Sequence, residues 1–413
     1  MVGWIEKSIG DLFEISGGLS ASREQLSDVG FPYLHYGDIH GTMQAYIDVC
    51  VNKIPCLDVP LNKVSKGALL QNGDVVFVDA SEDDEGISRH VVVRNTDNEP
   101  FISGLHTIVA KAKNNEIDNQ YREYCFQTKA VKSQFKFYAV GTKVQGVNKT
   151  TIKDIDLSYP VSLSEQRRIA AVLTDTDELI TALEKLIAKK KAIKQGAMQE
   201  LLSGERRLPG FSDEWVEKKL GDVCEIKDGT HQTPTYVDFG IPFYSVENVT
   251  NDDFSNTKYI TPAEHRKLTA KYKIERGDIL MTRIGSIGVC KYVDWDVNAS
   301  FYVSLALLKC KSEIDSKFLC LYSQCTQFQK EIELHSLQHA VPKKINLGNI
   351  SLVTLLIPST LEEQRAIGEI LSDMDEEIDK LTAKLNKYKQ IKQGMMSELL
   401  TGRIRLKEET DNG

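Results

Sequence analysis

The sequence predicts an α+β protein: two globular domains rich in short β-type runs, separated and joined by two long helices, with a pseudo-two-fold internal repeat. Three observations carry the prediction. The first is a segment written twice, 198 residues apart. It reads SLSEQRRIAAVLTDTDELITALEKLIAKKKAIKQGAMQELLSG from Ser162 to Gly204, and TLEEQRAIGEILSDMDEEIDKLTAKLNKYKQIKQGMMSELLTG from Thr360 to Gly402. A long duplicated segment implies one structural unit used twice in an internal two-fold arrangement. The second is apolar side chains at alternating spacings of three and four in both copies. Leu371, Met374, Ile378, Leu381, Leu385 and Tyr388 form the cleaner stripe. Leu173, Thr176, Ile180, Leu183, Ile187 and Lys190 match it, broadened by Val172, Leu179, Leu186 and Ile193. A 3.5-residue period over several heptads is a coiled-coil seam. The third is a change of pattern between the copies to short β-type runs bounded by turns, such as GDVVFVDA (Gly73 to Ala80) and GDILMTRIG (Gly277 to Gly285).

Each helix is expected to open on a capping box, Ser162 with Glu165 and Thr360 with Glu363, in which hydroxyl and carboxylate satisfy free backbone N–H groups reciprocally. Pro160 and Pro358 lie just upstream, and Gly204 and Gly402 stand where a helix stops. Roughly 40 residues at about 1.5 Å each make a rod of about 60 Å, too long for the core of one small domain. The helices therefore read as a spacer whose two matched seams pair; the alternative is an ordinary amphipathic helix lying on each domain. Gly196 and Gly394 interrupt the helices at equivalent points. Mid-helix glycine costs about 1 kcal/mol against alanine, so its presence in both copies suggests close backbone approach, with a neutral occurrence as the alternative.

The globular domains repeat more weakly. WIEKSIGDLFEISGG (Trp4 to Gly18) returns as WVEKKLGDVCEIKDG (Trp215 to Gly229), and GFPYLHYGDI (Gly30 to Ile39) parallels GIPFYSVENV (Gly240 to Val249). GDVVFVDAS parallels GDILMTRIG, and GTKVQGVNK (Gly141 to Lys149) lies opposite SLQHAVPKK (Ser336 to Lys344). The framework returns while the loops between landmarks change. Those loops are rich in Arg, Lys, Asn, Gln, Ser and Thr, the side chains that read base edges. Surface loops are polar in any protein, but loops that diverge on a shared frame favour recognition.

The chain has 413 residues and a net charge of −8, and no segment is strongly basic. Nucleic-acid binding must then use local patches: Lys129, Lys132, Lys136, Lys143, Lys149 and Lys153, or Lys189 to Lys191 with Lys194. Solvated faces are the bland reading of the same lysines. The eight cysteines show no C-x-x-C pair and no metal-type spacing with histidine, so they read as buried, reduced thiols of a cytoplasmic protein. There is no signal peptide and no apolar run of about 18 residues, which supports neither secretion nor membrane insertion. Asp79, Glu82, Asp83, Asp84 and Glu85, with His90 nearby, are better read as a solvated loop than as a metal site. No adenine-methylase, phosphate-loop or nuclease motif is present, so the chain alone is expected to be catalytically silent, with no catalytic residue, metal or cofactor of its own.

The pattern P-x₄-EQR opening a long helix that ends in KQG…M-x-E-LL-[ST]-G, twice, after W-x₄-[IL]-GD-x₂-E-I domain starts, resembles the specificity (S) subunit of type I restriction–modification systems over essentially the whole chain. The resemblance implies two α/β target-recognition domains, 1–160 and 212–358. It also implies two conserved helical spacers, 161–211 and 359–413, pairing as an antiparallel coiled coil. Double-stranded DNA with a bipartite, asymmetric site would be read half by each domain. Two modification subunits would dock on the spacers and supply S-adenosylmethionine and adenine methylation; restriction motor subunits would complete the complex.

Within this frame the candidate DNA contacts of the first domain are Ser20, Ser22, Arg23, His35, Tyr36, Lys143, Gln145, Asn148 and Lys149. Those of the second are Thr230, His231, Gln232, Thr233, Thr235, Asn248, Arg283, Ser286, His339, Lys343 and Lys344. Arg283 is the leading base-contact candidate, with an intradomain ion pair to an aspartate as the alternative. Half-sites about one helical turn apart are expected, and non-identical loops predict non-identical halves. Glu165, Gln166, Arg167, Gln195, Glu363, Gln364, Arg365 and Gln393 are candidates for the partner interface, with capping and helix packing as the alternative. A structural protein tethering partners through two β-rich heads, or an enzyme with its site in the divergent loops, are the competing classes.

Overall fold

Both repeated segments are helical, over Leu163–Leu202 and Leu361–Leu399. The structure is a computed structural model that describes residues 3–42, 44–82, 86–141 and 143–406. It divides the chain into two units, Met1–Glu184 with Lys384–Gly413, and Lys185–Ala383. Each unit contains half of each long helix.

In the first unit the two helical halves run antiparallel. Lys392 reaches Asp177 at 2.5 Å and Lys389 reaches Glu184 at 2.7 Å, so residue numbers rise on one helix as they fall on the other. The second unit repeats the arrangement with Lys190 on Glu377 at 2.7 Å and Lys194 on Asp375 at 2.5 Å. The expected seam is buried at Leu173, Ile180, Leu183 and Ile187 on one helix and at Leu371, Ile378 and Leu385 on the other. Leu186 and Ile193, read as widening that seam, are instead 38% and 47% exposed. The expectation of close backbone approach at Gly196 and Gly394 also fails, because a Cβ at either would meet nothing within 4 Å.

The capping boxes form by half. Ser162 Oγ accepts from the Glu165 N–H and Thr360 Oγ1 from the Glu363 N–H, both at 3.4 Å. The two carboxylates clamp arginines instead. Glu165 takes Arg405 through two bonds of 2.6 and 2.5 Å, and Glu363 takes Arg207 at 2.7 and 2.8 Å. Arg207 and Arg405 stand at the same distance beyond Gly204 and Gly402. Each unit is thus closed by one bidentate pair between the end of one repeat and the start of the other, with the carboxylate almost fully buried. Such forked pairs are stronger and more directional than single ion pairs.

The β framework sorts side chains by the two-residue period of a strand. In the first unit the strands run Phe13–Gly17, Thr107–Ala112, Val75–Val78, His90–Arg94, Tyr46–Asp48 across one sheet. Val75 and Phe77 enter a core with Tyr121, Phe126 and Phe135, while Val76 and Val78 enter a second core with Leu34, Ile39 and Phe101. A strand covered on both faces must be apolar throughout, which is why VVFV is continuous rather than alternating. The second unit matches with Cys224–Asp228, Leu305–Cys310, Ile279–Thr282 and Cys290–Tyr292. There Ile279 and Met281 face one core and Leu280 the other.

A second small sheet in each unit carries Phe31–Leu34 or Ile241–Tyr244, each parallel to a short strand, Ile102–Ser103 or Ser300–Phe301. The shared glycines Gly18 and Gly229 mark where the first strand passes this sheet: a Cβ there would land on the Gly104 carbonyl or on the Tyr302 backbone. Of the cysteines read as buried, Cys125, Cys224 and Cys320 are so, but Cys50 is exposed in the turn after Asp48, whose carboxylate accepts from its backbone N–H.

Candidate nucleic-acid interface

In the first unit the candidate loops converge. The Arg23 guanidinium lies close enough to Gly37 that a Cβ there would come within 2.7 Å of it, so the 20–23 and 35–38 loops touch. Gln145–Gly146 pairs with Ala80–Ser81, and Val144 just before it lines the same cavity as Tyr36. Tyr36 sits among imidazoles, 4.3 Å from the His35 ring, 6.1 Å from His40 and 5.3 Å from His106. Tyr36, His40, Arg89, His106 and Val144 line an open cavity of about 510 Å³. His106 is fixed by Asp79 at 3.0 Å. Ser20, Ser22, Arg23, Lys143, Asn148 and Lys149 are exposed, and Gln145 is half-buried.

Two first-unit candidates are committed to their own backbone. His35 is 5% exposed; its Nδ1 accepts from the Gly37 N–H while Asp38 accepts from the His35 N–H, so the ring caps a helical turn rather than facing a ligand. Burial, then the nearby Arg23 cation, holds the His35 imidazole below its ordinary pKa, in keeping with a neutral acceptor. Asn148 Oδ1 accepts from the Thr150 and Thr151 N–H groups and so organises its own turn, although the residue is exposed.

The second unit brings together three of its loops. Gly285 N–H donates to the Lys343 carbonyl at 2.8 Å and Ile345 N–H to the Arg283 carbonyl at 3.0 Å, which seats the 339–344 loop on the 283–286 loop. Asp228 joins both to the 230–236 loop by holding Arg283 Nη1 at 2.6 Å and His231 Nε2 at 2.7 Å. Arg283, the leading base-contact candidate, is therefore only 4% exposed and spent on an intradomain ion pair, the alternative the sequence left open. Asn248 is 5% exposed, and its amide serves the Asp253 and Asn256 carbonyls and the Ser245 N–H. Neither side chain is exposed. His231, Gln232, Thr233, Thr235, Ser286, His339 and Lys343 are exposed; Thr230 and Lys344 are half-buried, and Lys343 is paired with Glu333 at 2.7 Å.

The hydrogen bonds also correct the pairing of the late loops. Val147 N–H donates to the Asp79 carbonyl and Ile345 N–H to the Arg283 carbonyl, so Val147 corresponds to Ile345, three residues away from the alignment of GTKVQGVNK with SLQHAVPKK.

The family model for the type I restriction modification DNA specificity domain matches residues 1–195 and again 212–393. The chain belongs to that family. The MjaVIII type I restriction enzyme specificity subunit of Methanocaldococcus jannaschii is 28% identical, over 71% of this chain and 72% of its own. The putative MjaX specificity subunit of the same organism is 25% identical over 98% of this chain and 94% of its own. A crystal structure of the type I restriction–modification S subunit from M. genitalium has a TM-score of 0.60 at 17% identity, covering 96% of both chains, and speaks for the fold.

In this specificity-family chain the EQR motifs are fastened from within. Gln166 is fully buried; its amide takes the Asp118 N–H at 2.7 Å and donates to the Glu116 and Pro160 carbonyls. Gln364 does the same with Asp315, Glu313 and Pro358. Glu165, Gln166, Glu363 and Gln364 therefore cannot present a face to a partner: the motif locks the helix start to its own unit. Arg167 and Arg365 are exposed, lying on Asp118 at 2.8 Å and Asp315 at 3.6 Å. Gln195 and Gln393 are exposed.

Sequence reasoning overlooked His40, Arg89 and His106, which share a cavity only after distant strands pair, and it missed Asp228 as the hub of its loops. A polar residue directly before the shared Gly229 was the available signal. Among the described residues no group of three or more His, Cys, Asp or Glu side chains is placed to hold a metal ion. Asp83, Asp84 and Glu85 of the acidic run lie outside the described residues. Among the described residues no helix is long and apolar enough to cross a membrane.

Proposed function

We propose that this chain is the DNA-recognition subunit of a type I restriction–modification complex and performs no chemistry itself. Its target-recognition domains, 1–160 and 212–358, each read one half of a bipartite, asymmetric duplex site. The observation that carries the reading is the convergence, in each unit, of loops with different side chains on one repeated strand framework. A fixed frame with divergent polar loops suits two unlike half-sites. In the first unit the readers are Ser20, Ser22, Arg23, Tyr36, Lys143, Gln145 and Lys149. In the second they are Thr230 to Thr233, Thr235, Ser286, His339, Lys343 and Lys344.

The long helices dock two modification subunits, which carry S-adenosylmethionine and methylate adenine after extruding it from the stack. Restriction motor subunits join that assembly for cleavage. Arg167, Arg365, Gln195 and Gln393 are the residues exposed for docking, whereas the buried glutamates and glutamines of the two EQR motifs support it from below. Selection of random-sequence duplexes by the full chain with its modification subunit tests the reading. Enrichment of one motif with two unlike halves around a fixed gap is expected; recovery of unselected sequence refutes it.

A further inference from the structure

Beside Asp228 and Thr230 in the second unit lies an open cavity of about 250 Å³ whose far wall is the segment from Lys267 to Ile274. Lys267, Lys271 and Lys273 all line it, and Phe301 contributes to its lining. The wall is anchored. His265 Nδ1 lies 2.9 Å from Ser300 Oγ, Thr269 Oγ1 donates to the His265 carbonyl at 2.8 Å, and the Tyr272 hydroxyl donates to the Asp228 carbonyl. Between 261 and 273 the cations are Arg266, Lys267, Lys271 and Lys273, and Glu264 is the one carboxylate. Lys273 faces Glu275 at 3.7 Å, but Arg266, Lys267 and Lys271 are exposed and have no carboxylate partner among the described residues. The single acid in the cavity lining, Asp228, is already held by Arg283 and His231.

The first unit is built differently at the same place. Leu57 and Ile260 pair with Phe31 and Ile241 respectively, and the Gly73 and Gly277 N–H groups donate to the Val93 and Val293 carbonyls, so 58–69 corresponds to 261–273. That stretch holds only Lys63 and Lys66 against Asp58. A concentration of unpaired ammonium groups in a small recess, next to a recognition loop and with its acid neutralised, suits an oxyanion better than a base edge.

We infer that this recess is a backbone-phosphate clamp: Lys267 and Lys271 bind phosphodiester oxygens of double-stranded DNA beside the half-site faced by the 230–236 loop. The inference rests on the DNA-recognition reading above. Phosphate contacts hold the register of the duplex while the loops read it.

The test is a salt titration of DNA binding by fluorescence anisotropy, using the full chain assembled with its modification subunit. Selected and scrambled duplexes are compared for the wild type and for Lys267→Ala/Lys271→Ala. Both lysines are exposed, so the variant is expected to fold. Affinity should fall about tenfold on both duplexes alike, and the slope of log K against log salt should become shallower by about 1.8, two released counterions at about 0.9 each. Lys267→Glu/Lys271→Glu should enlarge the loss. An unchanged slope overturns the clamp. A loss confined to the selected duplex would make these lysines base readers, and failed assembly with the modification subunit would make the recess a protein contact; both outcomes also overturn it. If the wild type binds both duplexes equally, the specificity reading fails on its own, while the slope still decides the clamp.

Discussion

Asp79 in the first unit and Arg283 in the second occupy one framework position with opposite charge. Each directly follows the central strand, and each offers its backbone carbonyl to the returning chain, from Val147 or from Ile345. In the first unit the carboxylate holds His106 at 3.0 Å, and both side chains are substantially exposed. In the second the guanidinium is buried and reaches Asp228, whose counterpart by strand register is Gly17. The backbone bonds persist while the side-chain charge inverts, and a compensating residue changes two strands away in the same sheet. A frame held by main-chain bonds can therefore carry two unlike surfaces, which is what reading two unlike half-sites requires.

The two positions should differ most in stability. Arg283→Met leaves Asp228 without its principal countercharge and should cost about 3 kcal/mol, whereas Asp79→Asn, in a half-exposed pair, should cost less than about 1 kcal/mol. Hydrogen exchange followed separately in each unit measures both; equal losses would show that the two positions are not differently committed.

A second contrast is acid sensitivity. His90 faces Phe77 across its strand pair as Cys290 faces Met281, so one position holds an imidazole in one unit and a thiol in the other. Burial pushes the His90 imidazole down to about 4. A folded-state value below the ordinary 6.5 means that the unfolded chain takes the proton more readily. The stability contribution is complete above pH 6.5 and lost as the pH falls toward 4, by about 2 kcal/mol at pH 5. Burial moves the Cys290 thiol upward, so it stays neutral throughout. Exchange protection should therefore weaken with acid in the first unit's core, and His90→Leu should remove that step; the same acid response in the variant would contradict the assignment.

The smallest expected effect is where the units agree. Arg405→Lys and Arg207→Lys each replace a fork on a buried glutamate with a point charge and should each lower stability slightly, to a similar degree. Urea unfolding that separated the two variants widely would show that the closures are not equivalent.

What was legible in the sequence was local or periodic. The seam at Leu173, Ile180 and Ile187, the helix-ending glycines and the shared Gly18 and Gly229 follow from spacing and backbone geometry. What escaped depends on partners far along the chain: Arg283 meets Asp228 only once the strands are in register, and Gln166 looks like an exposed helical residue until Glu116 and Asp118 surround it. The Val147 to Ile345 equivalence is fixed by main-chain bonds and not by residue identity. The lysine recess was hidden because Leu268, Thr269, Ala270 and Tyr272 interrupt its charges in an acidic protein.

The central claim, that each unit reads its own half of the site, is tested most directly by mapping methylated adenines on random-sequence DNA. The full chain and its modification subunit are used, before and after Ser20→Ala/Ser22→Ala/Arg23→Ala. The wild type should mark one motif with two unlike halves around a fixed gap, and the variant should relax one half while leaving the other intact. A contiguous or palindromic motif, or a variant that relaxes both halves alike, would contradict the account.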